Sequence, residues 1–398
     1  MQKFTGLEYL KIAIANGYGL DKKSWKERID WVDANRPNLS LLAKDGKADE
    51  PCLMLGAIEA LNKAEKGLPT GYPISLDATS SGLQILSVLT CDERAAALCN
   101  IINIGSRADA YTTVYKHMLN ALGDDNKQIK REHVKKAIMT ALYGSEATPK
   151  RVFGEGRYLE QFHKSMEELA PGAWELNKFF LDIWDETKEE YSWILPDNFH
   201  VHCKVEDKVS ETFNLFGGYY ATTKTVQAPT KKGRFLGANT VHSIDAFILR
   251  EIIRRSNYDV NKVEYISIME PVKVIENEKT QMVRTLLSLY EKSGFLSARI
   301  LDYIEPYNIS LVPKKELDEL LASLSPVPFE TITIHDCFRV HPNNGNQIRR
   351  LYILMLALIA KSNMLQFLLE QITGKSIPVN KLSPNMWKKV IDSEYALS

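Results

Sequence analysis

Two short apolar runs, far apart in the chain, each end on an aspartate, and no other feature limits the fold as sharply. Ile74-Ser-Leu-Asp77 leads into Ala-Thr-Ser-Ser-Gly82, and Thr331-Ile-Thr-Ile-His335-Asp336 leads into Cys-Phe-Arg-Val340. Both read as short buried strands. The first turns into a helix at Thr79-Ser-Ser-Gly; the second reverses tightly at His335-Asp336. A carboxylate on such a strand is costly unless it is paired or bound to metal. Adjacent strands lie about 5 Å apart, so two such tips can hold a pair of divalent ions roughly 3.5 to 4 Å apart, the spacing of two-metal phosphoryl chemistry. Oxygen-only ligands favour magnesium. Taken singly, each acid also fits a structural role, Asp77 capping the helix and Asp336 in an Asx turn.

With 398 residues the chain has room for two to three domains and a sizeable core. Hydrophobic residues at 44% and charged residues at 25% are globular averages, which argues against a disordered, collagen-like or coiled-coil chain. No run approaches the roughly 18 uncharged apolar residues that span a bilayer. The opening Met1-Gln-Lys-Phe-Thr-Gly lacks a signal peptide's apolar stretch, so a cytoplasmic protein without membrane contact is expected. Cys52, Cys91, Cys99, Cys203 and Cys337 form no C-x-x-C pair and indicate neither a disulfide framework nor a zinc knuckle.

The 50 Lys and Arg balance the 50 Asp and Glu, yet the charge is segregated. Lys127, Lys130, Arg131, Lys135, Lys136, Lys150 and Arg151 face only Glu132 and Glu146 in their segment. A second basic patch, Lys224, Lys231, Lys232 and Arg234, has no acid from Ala221 to Asn239. Tyr258 to Glu330 is acidic. Such segregation is expected where one surface faces a polyanion, although any one patch also fits a solvated helix face.

There are no internal repeats. Ser24 reads as the N-cap of an amphipathic helix through Trp25, Ile29 and Val32. Residues 107–191 read as almost wholly helical, with breaks near Gly123 and Pro171. Asn198 to Val226 switches to period two, with Phe213, Leu215 and Tyr219 within a hairpin around Gly217-Gly218. A helix is expected from Ser243 to Arg255, an inserted acidic subdomain to about Pro326, and one long helix from Gln347 to Ile372.

The helix over 128–143 places Arg131 and Lys135 four apart, one above the other. Steps of four continue the row to Met139 and Tyr143, drifting about 40° each time. Such a helix can hold a triphosphate with its cations and offer a ring to a base or sugar at its C-terminal end, which Gly144 closes.

Together these segments spell out a family. Asp77-Ala-Thr-Ser-Ser-Gly-Leu-Gln84, Arg131-x3-Lys135-x7-Tyr143-Gly144-Ser145 and Ile334-His335-Asp336-Cys337 resemble, in order, the A, B and C motifs of single-subunit, bacteriophage- and mitochondrial-type DNA-directed RNA polymerases. Leu10-Lys-Ile-Ala through Lys22 resembles the segment leading into that family's palm. Asn239-Thr-Val-His242-Ser243 resembles its fingers-to-palm junction, and Tyr395-Ala-Leu-Ser398 its aromatic C-terminal foot beside the active site. Roughly Asn257 to Pro326 matches nothing.

The resemblance implies that Asp77 and Asp336 bind two Mg²⁺ ions with the carbonyl of Ala78 assisting, and that Lys135, Tyr143 and His335 share in catalysis. Lys22, Arg131 and Lys135 would grip the incoming triphosphate, with Tyr143 sensing the ribose beside Gly82. His242 would inspect the nascent pair; Gly144, Ser145, Lys224, Lys231, Lys232 and Arg234 would lie along nucleic acid. Ala78 stands where the family has Gly, and Cys337 where it has Ser. The related DNA polymerases carry a Glu five residues after the first Asp, where Gly82 stands here, and a Glu after the second. A non-catalytic nucleic-acid-binding subunit is the other alternative.

The expected fold is therefore α+β, a right-hand polymerase with an antiparallel palm sheet over 1–105 and 243–398, helical fingers over 106–242 and an insertion at about 257–326. Its implied partners are DNA template, nascent RNA, NTPs and promoter-recognition or single-stranded-DNA factors, in an infected host cell if phage-encoded. Thumb and N-terminal domain are missing from the match, so a second, smaller polypeptide is expected to supply them. The short basic stretch 229–239 stands where the family's promoter-reading hairpin is expected, and implies weak reading of duplex sequence.

Overall fold

The computed structural model describes residues 1–123, 129–230 and 235–398. Its helix starts follow the sequence closely. Thr5 caps α1 (Gly6–Tyr18) and Ser24 caps α2 (Trp25–Ala34), with Glu8 and Glu27 closing reciprocal capping boxes. Gly19 ends α1 at a φ of +100°, a left-handed turn that glycine takes without strain. After α3 (Leu39–Leu42), α4 (Pro51–Glu65) packs along α1. β1 (Ile74–Asp77) then runs into α5 (Ser81–Thr90), whose residues from Gly82 onward are all buried, and α6 (Glu93–Leu98).

The helical stretch consists of α7 (Ala110–Leu122), α8 (Arg131–Ala141), α9 (Ala147–Phe153), α10 (Arg157–Leu169) and α11 (Pro171–Asp182). Two antiparallel pairs follow, β2 (Glu190–Ile194) with β3 (His200–Lys204), and β4 (Glu206–Leu215) with β5 (Gly218–Gln227). The expected hairpin is thus present, turned at Phe216-Gly217, but its alternation does not mark a buried face. Phe213, Leu215 and Tyr219 stand in solvent, because a two-stranded ribbon has no second layer to cover them. With ten residues in each strand, this ribbon also precedes the short 229–239 segment rather than being replaced by it. The expectation of weak duplex reading, which rested on a missing hairpin, loses that basis.

α12 (Phe235–Ser256) starts earlier than Ser243, so His242 lies within it. Residues 257–326, the expected insertion, hold α13 (Val260–Ile268), α14 (Glu278–Ser293) and α15 (Lys314–Ser323) around their own apolar core, which includes Val283, Leu286, Ile300 and Leu317. β6 (Ile332–Ile334) and β7 (Cys337–Val340) complete the strands. The single helix expected over 347–372 is two, α16 (Gly345–Lys361) and α17 (Met364–Thr373), bent by 63°. The break has a local cause: Ser362 takes an extended backbone, its hydroxyl accepts from the Met364 amide, and the Asn363 amide donates to the Ser293 carbonyl at 2.7 Å. α18 (Trp387–Val390) follows. Among the described residues no single helix is long and apolar enough to cross a membrane.

The architecture is α+β. One antiparallel sheet, in the order β1-β7-β6, lies within the main core. Ile74, Leu76, Phe338 and Val340 face inward, and Phe338 meets Tyr352 of α16 edge-on at 5.6 Å. The last residues lie against the end of β1: the Ser398 amide donates to the Asp77 carbonyl at 2.9 Å and the Thr79 amide to Ala396 at 3.2 Å. Tyr395 stacks on Trp25.

The insertion is joined to α12 by buried charges. Glu251 accepts from Arg254 at 2.8 Å, from Arg255, from the Ser297 hydroxyl and from the Ala298 amide at 3.0 Å. Asp197 accepts from Arg250 at 2.6 and 3.1 Å and from Arg254 at 2.9 Å. Burial alone raises both carboxyl pKa values, but the guanidinium groups outweigh it and hold both below the ordinary range. The stabilisation is present in full above the ordinary carboxylate pKa and is lost as pH falls through the depressed value. Glu251→Ala leaves Arg255 buried without its carboxylate and should lower the unfolding free energy by about 3 to 5 kcal/mol, read by urea denaturation at neutral pH. A loss below about 1 kcal/mol would show that the joint is not structural.

Candidate active site

The register of β1 against β7 sets Asp77 opposite Cys337. Because Ile334 pairs with Cys337, the reversal between β6 and β7 has only two residues, His335 and Asp336. His335 sits at a φ of +54°, a left-handed conformation unusual for a side-chain-bearing residue. The Asp336 carbonyl accepts from the Ala78 amide at 3.2 Å, so the two motif acids stand on neighbouring strand ends. Protein packed around Asp77 raises its pKa. The Cys337 thiol, donating to it, works the other way, and the Asp336 charge raises it further. Burial and this hydrogen bond push the Cys337 thiol itself up to about 12, which keeps it protonated as a donor.

A cavity of about 380 Å³ opens over these strand ends, lined by Ala78, Gly82, Tyr143, His242, His335 and Asp336 among others. Asp77 stands beside it rather than in its wall. A second cavity of about 230 Å³ shares Thr79, Ser80, Tyr111 and Met139 with the first, and brings together Lys22, Arg131 and Lys135. The Lys22 loop is shaped by buried Arg28, which donates to the Lys23 carbonyl at 2.9 Å, to Asn16 at 3.1 Å and to the Asp21 carbonyl. Arg131 opens α8, ion-paired with Asp109 at 2.5 Å and donating to Thr112 at 2.7 Å. Both Arg131 and Lys135 lie over the Tyr111 ring, at 6.0 and 5.8 Å.

Tyr143 falls just past α8, in the turn that Gly144 closes at a φ of +81°. Its ring centroid is 5.0 Å from that of His242. A Cβ at position 82 would lie 2.7 Å from the Tyr143 hydroxyl, so Gly82 is what lets the phenol approach α5. Burial raises the phenol's pKa, against a hydrogen bond with Ser81. Gly144 and Ser145 serve locally as the stop of α8 and the start of α9, where the Ser145 hydroxyl accepts from the Thr148 amide. Lys224 is elsewhere, on the exposed ribbon. The run that is acid-free in sequence is not so in space, because pairing with β4 sets Glu211 into an ion pair with Lys224. Lys231, Lys232 and Arg234 lie outside the described residues.

Sequence reasoning missed three members of the site. Asp245 lies one turn beyond His242, in the cavity wall; its i,i+3 spacing from His242 was the available signal. Burial first and the Asp336 charge second push its pKa to about 6, against the opposing effect of His335. Arg107 and Asp109 line the second cavity, and Asp109 also caps α7. Among the described residues no group of three His, Cys, Asp or Glu side chains forms a metal cluster. The oxygens of Asp77, Asp336 and the Ala78 carbonyl make a hard donor set, which suits magnesium, an ion that takes one or two carboxylates and completes its shell with water and phosphate.

Residues 3–153 match the family model of DNA-dependent RNA polymerase. A "Probable DNA-directed RNA polymerase" of Gelasinospora sp. is 24% identical over 371 residues, covering 88% of this chain and 42% of its own. A mitochondrial DNA-directed RNA polymerase of Neurospora crassa is 32% identical over 164 residues, covering 35% of this chain and 12% of its own. The DNA-directed RNA polymerase of Pseudomonas phage phiKMV is 28% identical over 172 residues, covering 35% and 21%. Over residues 3–153 the chain is thus similar to the DNA-dependent RNA polymerase family. The proteins it is similar to include a mitochondrial and a phage enzyme. The chain spans less than half the length of these relatives.

The Asp245 carboxyl titrates above its ordinary value of 3.8, so the stability it allows is present below that value and lost as pH rises through about 6. Asp245→Asn should therefore raise the melting temperature at pH 7.5 in EDTA, by the equivalent of about 2 kcal/mol, and leave it unchanged near pH 3.5. Equal effects at both pH values would contradict this account.

Proposed function

We propose that this chain is the catalytic subunit of a DNA-directed RNA polymerase, joining ribonucleoside triphosphates to an RNA 3′-OH along a DNA template. One observation carries the reading: two cavities that share lining residues set Asp336, with Asp77 beside it, against the cations and tyrosine of the α8 segment. In this reading the chain has the right-hand plan, with a palm from 1–105 and 243–398, fingers from 106–242 and an insertion at 257–326.

Asp77, Asp336 and the Ala78 carbonyl would hold two Mg²⁺ ions, whose charge favours attack at the α-phosphate and departure of pyrophosphate. The protein's own groups do the positioning. Lys22, Arg131 and Lys135 hold the triphosphate, with Arg131 already aimed by Asp109 and Thr112. Tyr143, set close against Gly82, meets the ribose, and His242 beside it meets the nascent pair. His335 lines the same cavity. Gly82 also argues against the DNA-polymerase alternative, whose Glu at this position would collide with the phenol. Gly144 and Ser145 would set the turn beside the template, and Lys224 would contact duplex. Promoter or single-stranded-DNA factors belong to the same reading. So does cytoplasmic action, although relatives include mitochondrial proteins.

The reading includes a second, smaller polypeptide. β6 is an edge strand that carries exposed Ile332 and Ile334, an unpaired apolar edge of the kind a partner strand covers. A chain that sediments as a monomer and extends primers processively by itself would refute this part.

The test of the activity is primer extension on an RNA-primed DNA template, comparing ribonucleotides with deoxyribonucleotides, with and without candidate partner chains. Ribonucleotides should be preferred, and Asp336→Asn should lower extension by about a hundredfold or more while sparing template binding. Mutant extension at a tenth of the wild-type rate would reject the metal-binding assignment.

A further inference from the structure

The second cavity contains a cation that the reading above leaves without a task. Its wall carries Lys22, Arg107, Arg131 and Lys135, with Asp21 and Asp109 between them. Arg131 already has partners, the Asp109 carboxylate and the Thr112 hydroxyl, and so meets a phosphate only by sharing or releasing them. Arg107 has no such competitor. Its Nε is buried with no hydrogen-bond partner among the described residues. Asp21 and Asp109 are near enough to act on its charge, yet neither pairs with it.

A buried guanidinium N–H left unpaired costs free energy comparable to a lost hydrogen bond to a charged group. Among the described residues Arg339 and Arg349 also carry an unpartnered buried Nε, but only that of Arg107 belongs to a residue lining this cationic cavity, where an anionic ligand can complete it. An arginine fork presents parallel N–H donors matched to phosphate oxygens. The position along the site identifies which oxygens. Tyr143, the ribose group, lines only the first cavity; Lys22, Arg107 and Arg131 line only the second, so the chain of phosphates runs from one to the other through the shared Thr79, Ser80 and Tyr111.

We propose that Arg107 binds the terminal phosphates of the incoming nucleoside triphosphate, as a fourth cation opposite Lys22, Arg131 and Lys135. The inference rests on the polymerase reading for the identity of the ligand, and on geometry alone for the anion site. Arg107 ends the segment Asn103-Ile-Gly-Ser-Arg107 immediately before the Asp109 cap, so one short stretch both supplies a phosphate ligand and aims Arg131.

The experiment uses the full chain and inorganic tripolyphosphate as probe, measured by calorimetry at low salt, alongside NTP-dependent primer extension. Arg107→Gln should weaken tripolyphosphate binding about tenfold or more and raise the KM for NTP by a similar factor, with kcat within about threefold. Arg107→Lys, which keeps the charge, should recover part of the loss. Melting temperatures of both variants should equal or exceed that of the wild type, which separates lost binding from misfolding. Unchanged tripolyphosphate affinity in Arg107→Gln, or no binding by the wild-type chain, would overturn the proposal. A wild-type chain that binds tripolyphosphate through Arg107 yet extends no primer even with the candidate partner chains present would instead overturn the polymerase reading and leave the anion site standing.

Discussion

The antiparallel register of β1 on β7 is the constraint from which the site follows. With Asp77 opposite Cys337 and only two residues in the reversal, Asp336 has one place to go, beside the end of β1. A slip of one residue would turn Leu76 and Phe338 out of the core, so burial itself fixes where the acids stand. Gln84 fastens the arrangement from below. Its amide donates to the carbonyls of Cys99 and Ala396, and its oxygen accepts from Tyr352 at 2.7 Å. One buried side chain thereby ties the helix after β1 to the last residues, to α16 and to the loop before α7.

Electrostatics completes what register begins. Asp77, Asp245 and Asp336 crowd one end of the sheet, and the raised pKa values of Asp77 and Asp245 record desolvation first, with mutual repulsion adding to it. The facing wall is cationic but not uniformly so. Asp109 holds Arg131 in place while also capping α7, so the helix start and the cationic wall share one carboxylate. Such a charge arrangement is complementary to a ligand that brings anionic phosphate and divalent cation together, since each would relieve the charge that the other wall leaves exposed.

Much of this was legible in the sequence because it is local. Capping boxes at Thr5 and Ser24, the strand ending at Asp77 and the Gly144 stop are each written within a few residues. Two of the three motif segments, at 77–84 and 131–145, fall inside the stretch 3–153 that matches the family model. What escaped depends on partners distant in sequence. Arg107 joins the cavity only because the α7 cap folds back toward Lys22. The basic look of Lys224 dissolves once β4 brings Glu211 across. The bend after Lys361 is set by the Ser293 carbonyl, on the insertion, and no periodicity in 347–372 could register it.

The joint at Glu251 bears on how such a chain can change over generations. The segment 257–326 looks like a removable cassette, with its own apolar core and an acidic composition. Its Ser297 and Ala298, however, satisfy a carboxylate on the same helix that presents His242 and Asp245 to the site. Excising 257–326 would strip two of the donors from Glu251 and uncover Arg255. Loss of the segment is therefore viable only together with apolar replacements on α12, and a lineage that acquired those replacements first would no longer need it.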